Sequence, residues 1–158
     1  MLRPTPVSPD FVLFVPGFQP GVNGVCYPSE KAPNTIVFYL EEGLEVVSPV
    51  DGRVVSIRGS SPSAWGVIKV YSPVLNTTVL IFTEYDCTVQ KKFLDQIHRG
   101  EVLGMTRNQI TEYGTPEYPV CAVIKTADEV YDDSGGVTTG ASPVDLFEYF
   151  SQCLYKQR

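Results

Sequence analysis

The feature that most limits the possible fold is the arrangement of apolar residues in short runs rich in β-branched and aromatic side chains. Turn-forming residues separate these runs, since the chain has 13 prolines and 13 glycines among its 158 residues. Valine, isoleucine, threonine, tyrosine and phenylalanine favour strands, whereas proline and glycine interrupt them. The predicted strands include TIVFYL (35–40), WGVIKVYSP (65–73), TTVLIFTEY (77–85), EVLGMT (101–106) and YPVCAVIKT (118–126). The sequence therefore predicts a mainly β protein.

Two hairpins are predicted within this series of strands. In GLEVVSPVDGRVVSI (43–57), two valine-rich runs flank the dipeptide Asp51-Gly52, and both residues are favoured in tight turns. The runs 65–73 and 77–85 are separated by a short turn at Val74-Leu75-Asn76. We expect each pair of runs to form two neighbouring antiparallel strands.

The two ends of the chain differ from its middle. Residues 1–34 are rich in proline, glycine, asparagine and serine, apart from FVLFV (11–15), and predict an irregular N-terminal arm. Residues 35–158 are predicted to form a single β-domain, in which the acidic, glycine-rich segment 128–142 is a loop. SPVDLFEYFSQCLYK (142–156) predicts one C-terminal helix, because Ser142 is a good N-cap and Pro143 fits the first turn.

Composition excludes several classes of function. With 18 acidic and 12 basic residues the net charge is −6, so the chain lacks the basic footprint of a nucleic-acid-binding protein. Its apolar runs are far shorter than the ~20 residues that span a bilayer, which predicts no membrane insertion. The N-terminus does not resemble a signal peptide, so we expect a cytoplasmic location, with a virion- or assembly-associated location as the alternative. The four cysteines are far apart and predict separate thiols.

Three motifs in order resemble the LytM-type (lysostaphin-like) zinc endopeptidases. GLEVVSPVDGRVVSI (43–57) is similar to the family's G-x-x-V-x-x-P-x-D-G-x-V segment, and IHRGEVLGMT (97–106) to its V-x-x-G-Q-x-I-G segment. SPVDLFEYF (142–150) is similar to the P-V-D-P-L-x-Y-L segment that closes those domains. The resemblance implies a barrel-sandwich hybrid with a groove across one sheet.

The resemblance also implies that the zinc site of the family is lost. The family holds zinc with a histidine, an aspartate and one histidine of an H-x-H pair, while further histidines assist the bound water. The positions of this chain that match ligand or catalytic positions carry Pro33, Val37, Phe82 or Thr83, Pro119 and Cys121. His98 is the single histidine of the chain. We therefore expect no zinc, no cofactor and no endopeptidase activity.

Three functions are left open by the sequence. The first is a catalytically inactive interaction, regulatory or scaffold module that docks a partner protein or a cell-wall peptide in the groove near Val37, Phe82, Pro119 and Cys121. The second is a structural component of a phage, virus or secretion assembly, with a homo-oligomer as one form. The third is an enzyme of unrelated chemistry that uses Cys121 as nucleophile and His98 as base. Three tyrosines near glycine-containing loops are candidate interface residues: Tyr113, Tyr118 and Tyr131.

Overall fold

A computed structural model of the chain describes residues 11–32, 34–110 and 113–139. Within these ranges it has strands, turns and irregular segments, and the prediction of a mainly β protein is confirmed. The strands are β1 (Gly24–Pro28), β2 (Thr35–Leu40), β3 (Glu45–Val47), β4 (Gly52–Arg58), β5 (Gly66–Ser72), β6 (Thr77–Thr83), β7 (Tyr85–Cys87), β8 (Gln96–Ile97), β9 (Val102–Thr106), β10 (Val120–Ala127), β11 (Val130–Tyr131) and β12 (Val137–Thr138). No helix in the described part of the chain is long and apolar enough to cross a membrane.

The largest sheet has seven strands in the order β1-β2-β10-β6-β5-β4-β8, and every neighbouring pair is antiparallel. Residues directly opposite each other in such pairs point to the same face of the sheet. One register row on the inner face consists of isoleucines from successive strands: Ile36, Ile124, Ile81, Ile68 and Ile57. The first four are at most 1% exposed, so this face forms the floor of the hydrophobic core.

A three-stranded sheet with the order β3-β9-β7 contributes to the same core. The prediction of a hairpin around Asp51-Gly52 is wrong, because Val46 and Val47 of β3 pair with β9, while β4 pairs with β5 and β8. The turn at Asp51-Gly52 instead connects β3 of the three-stranded sheet to β4 of the seven-stranded sheet. Gly52 is required there, since a Cβ atom at this position would overlap the carbonyl oxygen of Tyr71. Burial of both valines in the core favours the long-range pairing over the local one.

The described part of the segment predicted as an N-terminal arm packs into the β-domain. Its core residues are Phe11, Leu13, Phe14, Val15 and Phe18, each at most 7% exposed. The rings of Phe14 and Phe18 meet Phe38 edge-on, with centroids 5.1 and 5.2 Å apart. The Val47 N–H donates to the Phe14 carbonyl oxygen at 2.8 Å, and β1 pairs with β2 along its length. Burial of several large apolar side chains outweighs the irregular local sequence.

The remaining sequence predictions have mixed outcomes. The hairpin turned at residues 74–76 is confirmed as the β5–β6 pair, with Asn76 in the left-handed region at φ 52°. The acidic segment 128–142 is not simply a loop, because β11 and β12 pair within its described part. Arg53 fixes this small hairpin to the main sheet through the carboxylate of Asp133 and the carbonyl of Tyr131. The predicted C-terminal helix lies outside the described residues.

Candidate functional site

The outer face of the seven-stranded sheet carries an apolar register row that crosses five strands. Its members, from β1 to β5, are Tyr27, Val37, Val123, Phe82 and Val67. Tyr27 is 51% exposed, and Val37, Val123 and Phe82 are each partly exposed. A continuous apolar row on the solvent side is unusual in an antiparallel sheet, whose outer positions are commonly polar. We call this row, together with the cavity beside it, the outer-face groove.

An open cavity of about 440 Å³ lies at the β5 end of the outer-face groove, and it is lined by Arg58, Trp65, Phe82 and Val123. The Arg58 Nε–H donates to the Trp65 carbonyl oxygen at 3.4 Å. The Trp65 ring contacts the Tyr113 ring, with centroids 5.2 Å apart. A volume of this size lies within the range of about 300–1,000 Å³ found for small-ligand sites. The cavity can therefore accept one large apolar side chain.

Cys121, near the start of β10, lies beside the buried carboxyl group of Glu84. Glu84 is 0% exposed and accepts hydrogen bonds from the backbone N–H groups of Ile110 at 2.7 Å and Cys121 at 3.3 Å. Burial raises the pKa of Glu84, and the two N–H donors only partly oppose that rise. Glu84 thus joins the segment after β9 to the start of β10.

The pKa of the Cys121 thiol is shifted in the opposite direction to that of a catalytic cysteine. Burial, and secondly the charge of Glu84, raise the pKa of Cys121 to about 11. A reactive cysteine is instead partly exposed and has a lowered pKa. His98 follows β8, which lies four strand positions from β10, so about 19 Å separates the two strands at the usual spacing. The side chain of His98 is exposed, with Nδ1 4.0 Å from Asp51 Oδ1.

The structure brings together only some of the residues predicted for the groove. Val37 and Phe82 lie on either side of Val123 in one row, and Cys121 is on the same face two residues from Val123. Thr83 is on the inner face, 0% exposed, with its hydroxyl 3.4 Å from the Cys121 carbonyl oxygen. Pro119 is partly buried just before β10. Pro33 lies outside the described residues.

The three candidate interface tyrosines have different environments. Tyr113 is 54% exposed beside the cavity, where it can contact a partner. Tyr118 and Tyr131 are each 8% exposed, and Tyr131 packs on Tyr71 with ring centroids 5.9 Å apart. The turn 115–118, in which the Tyr118 N–H donates to Thr115 Oγ1 at 2.9 Å, fixes Tyr118 in place. Only Tyr113 offers a large exposed ring.

Six residues in or beside the outer-face groove were not predicted as groove residues from the sequence: Tyr27, Arg58, Trp65, Val67, Val123 and Lys125. Alternation within β10 provides a signal for two of them, because Val123 and Lys125 must share the face of Cys121. Trp65 and Arg58 had no comparable local signal, since their positions depend on the turn between β4 and β5. Lys125 lies over the Phe82 ring, with Nζ 5.5 Å from its centroid.

Among the described residues, no group of three or more histidine, cysteine, aspartate or glutamate side chains could hold a metal ion. Comparisons with protein-family models, with curated proteins and with solved structures found no match to this chain. The assignment of function therefore depends on the geometry of the outer-face groove and on the three sequence motifs.

Proposed function

We propose that the chain is a catalytically inactive, LytM-like β-domain of the barrel-sandwich type that acts as an interaction, regulatory or scaffold module. The outer-face groove is where it docks a protein or peptide. The single observation that carries this proposal is the apolar row of the outer face, whose members from Tyr27 to Phe82 are at least partly accessible to solvent and which ends in a cavity of about 440 Å³. Apolar surface of this kind favours association, because binding removes it from water.

The environment of the reactive side chains supports binding rather than catalysis. The raised pKa of Cys121 keeps its thiol protonated near neutral pH. The single imidazole lies several strands away, on the side of β8. Val37 and Phe82, at positions that match ligand and catalytic residues of the endopeptidases, are apolar and contribute surface for a partner.

The expected absence of a zinc site can be tested directly. The purified protein is incubated with excess zinc, dialysed and analysed for bound metal. We expect no stoichiometric zinc, because the matching positions carry no histidine or carboxylate and offer Cys121 as a lone thiol. Zinc retained at one equivalent would contradict the proposal and would require ligands outside the described residues.

Binding at the groove can be measured with the single tryptophan of the chain, since Trp65 lines the cavity. A panel of capped hexapeptides of varied charge, together with a cell-wall stem peptide, is titrated while the fluorescence of Trp65 is recorded. We expect at least one class to give a saturable change that Phe82→Ser abolishes. The matched control is Phe93→Ser, because Phe93 is 56% exposed in the segment before β8 and does not line the cavity. Equal effects of the two substitutions, or no saturable change with any peptide, would refute the proposal.

A further inference from the structure

A second row on the outer face carries positive charge beside the apolar one. Lys69 of β5 and Lys125 of β10 are both directly opposite Leu80 of β6, which lies between them. Arg58 is opposite Val67, so the guanidinium group lies at the β4 end of the apolar row and lines the cavity. Within the described parts of the chain, none of these three cations forms an ion pair.

These cations are concentrated on one face of a chain whose net charge is −6. Such a local concentration of positive charge selects a partner that carries negative charge.

We propose that the outer-face groove binds an extended segment of a partner protein in which one large apolar side chain is flanked by carboxylates, an inference that rests on the proposed function. The apolar side chain occupies the cavity beside Trp65 and Phe82. The carboxylates lie over Lys125 and Arg58, where the guanidinium group can donate a bidentate pair of hydrogen bonds to one carboxylate. The Lys125 ammonium group already contacts the Phe82 ring, so it is held at the rim of the cavity.

The charge pattern argues against the other classes of occupant. A purely apolar ligand would supply no counter-charge to the three cations and would partly desolvate them. A nucleic acid needs a broader basic surface than three cations on a chain of net charge −6. A peptide with carboxylates on both sides of an apolar side chain satisfies the cavity and the cations together.

The test uses the full chain and three capped hexapeptides that differ only in charge. The acidic probe is Asp-Glu-Phe-Ser-Asp-Glu, the neutral probe is Asn-Gln-Phe-Ser-Asn-Gln, and the basic probe replaces every acid by lysine. Binding is followed by Trp65 fluorescence at low and at physiological ionic strength. We expect the acidic probe to bind tightest and to lose affinity as salt is added. Lys125→Gln and Arg58→Gln should each weaken it about two- to fivefold, as for a partly exposed ion pair, whereas the control Lys92→Gln should leave it unchanged.

The outcomes separate failure of this inference from failure of the proposed function. Equal or tighter binding of the neutral or basic probe, lost in Phe82→Ser, would overturn the acidic partner and leave the groove as a binding site. No binding of any probe, either to the unaltered chain or after Phe147→Ser and Phe150→Ser, would overturn both. The chain's own segment 142–150 also combines aromatic residues with acids. If the acidic probe binds only after Phe147→Ser and Phe150→Ser, the occupant is that segment and the inference of a partner protein is wrong.

Discussion

Two adjacent residues of β6 test the assignment of the sheet faces. Ile81 is 0% exposed in the inner isoleucine row, whereas Phe82 is partly exposed in the outer-face groove. Because consecutive residues of a strand point to opposite faces, Ile81→Ala and Phe82→Ala probe the two sides at the same depth in the sheet. We expect the smaller side chain to matter more for the stability of the fold.

The magnitudes follow from the surroundings of each residue. Ile81 lies between Ile68 and Ile124 in the core, so its truncation leaves a closed cavity and should lower the free energy of unfolding by about 3–4 kcal/mol. Phe82 borders an open cavity, and its truncation exposes the site to water rather than creating a void. We expect a loss of about 1–2 kcal/mol for Phe82→Ala, well below the value for a fully buried phenylalanine.

Urea unfolding followed by far-ultraviolet circular dichroism measures both losses. A difference of about 2 kcal/mol corresponds to about 1 M between the two midpoints at an ordinary m-value. Peptide binding should show the reverse order, with affinity lost in Phe82→Ala and retained in Ile81→Ala under folding conditions. If Phe82→Ala destabilises the protein as much as Ile81→Ala, the outer face is covered and the reasoning behind the groove is wrong.

Three further predictions concern stability and reactivity. Gly104→Ala should lower the unfolding free energy by about 3 kcal/mol, because a Cβ atom there would overlap the Asp86 carbonyl oxygen between β9 and β7. The control Gly17→Ala should change it by less than about 0.5 kcal/mol, because the nearest atom lies 4.0 Å from the new Cβ position. Equal losses would refute the close approach of the two strands. The pKa of Glu84 is raised above its ordinary value of 4.5, so its contribution to stability is fully present below pH 4.5 and is lost as the pH rises through the raised pKa. Glu84→Gln should flatten the plot of the urea-unfolding midpoint against pH in that range. An unchanged slope would contradict the burial of the carboxyl group. The Cys121 thiol, with its pKa raised to about 11, should react with iodoacetamide at neutral pH more slowly than free cysteine. Mass spectrometry of the peptides measures the rate. A faster reaction would restore the hypothesis that Cys121 is a nucleophile.

Local sequence determined the strands whose pairing is also local. The β5–β6 hairpin joins two runs of β-forming residues by a short turn, and its register follows from neighbours in the chain. β2 was predicted at its observed bounds for the same reason, since TIVFYL is a strand-forming run between turn-forming residues. Short-range propensity and turn chemistry are sufficient where the two partners are close in sequence.

Pairings between distant residues were not predictable in this way. The runs on either side of Asp51-Gly52 have the local pattern of a hairpin, but β3 pairs with β9 more than fifty residues later. The N-terminal phenylalanines lie in a sequence typical of an irregular segment, yet they are buried against Phe38. In both cases the free energy gained by burying large apolar side chains exceeds the local preference.

In the candidate site, too, some properties follow from the sequence alone and others depend on long-range packing. The sequence by itself determined that a histidine-based zinc centre cannot be assembled from the single imidazole of His98, because this conclusion depends only on composition. It did not determine that Phe82 faces solvent while Ile81 faces the core. Both faces of β6 are apolar in sequence, and six of its seven residues are buried. Only the tertiary structure decides this, since the exposure of a face depends on which elements pack against it, and those elements come from distant parts of the chain.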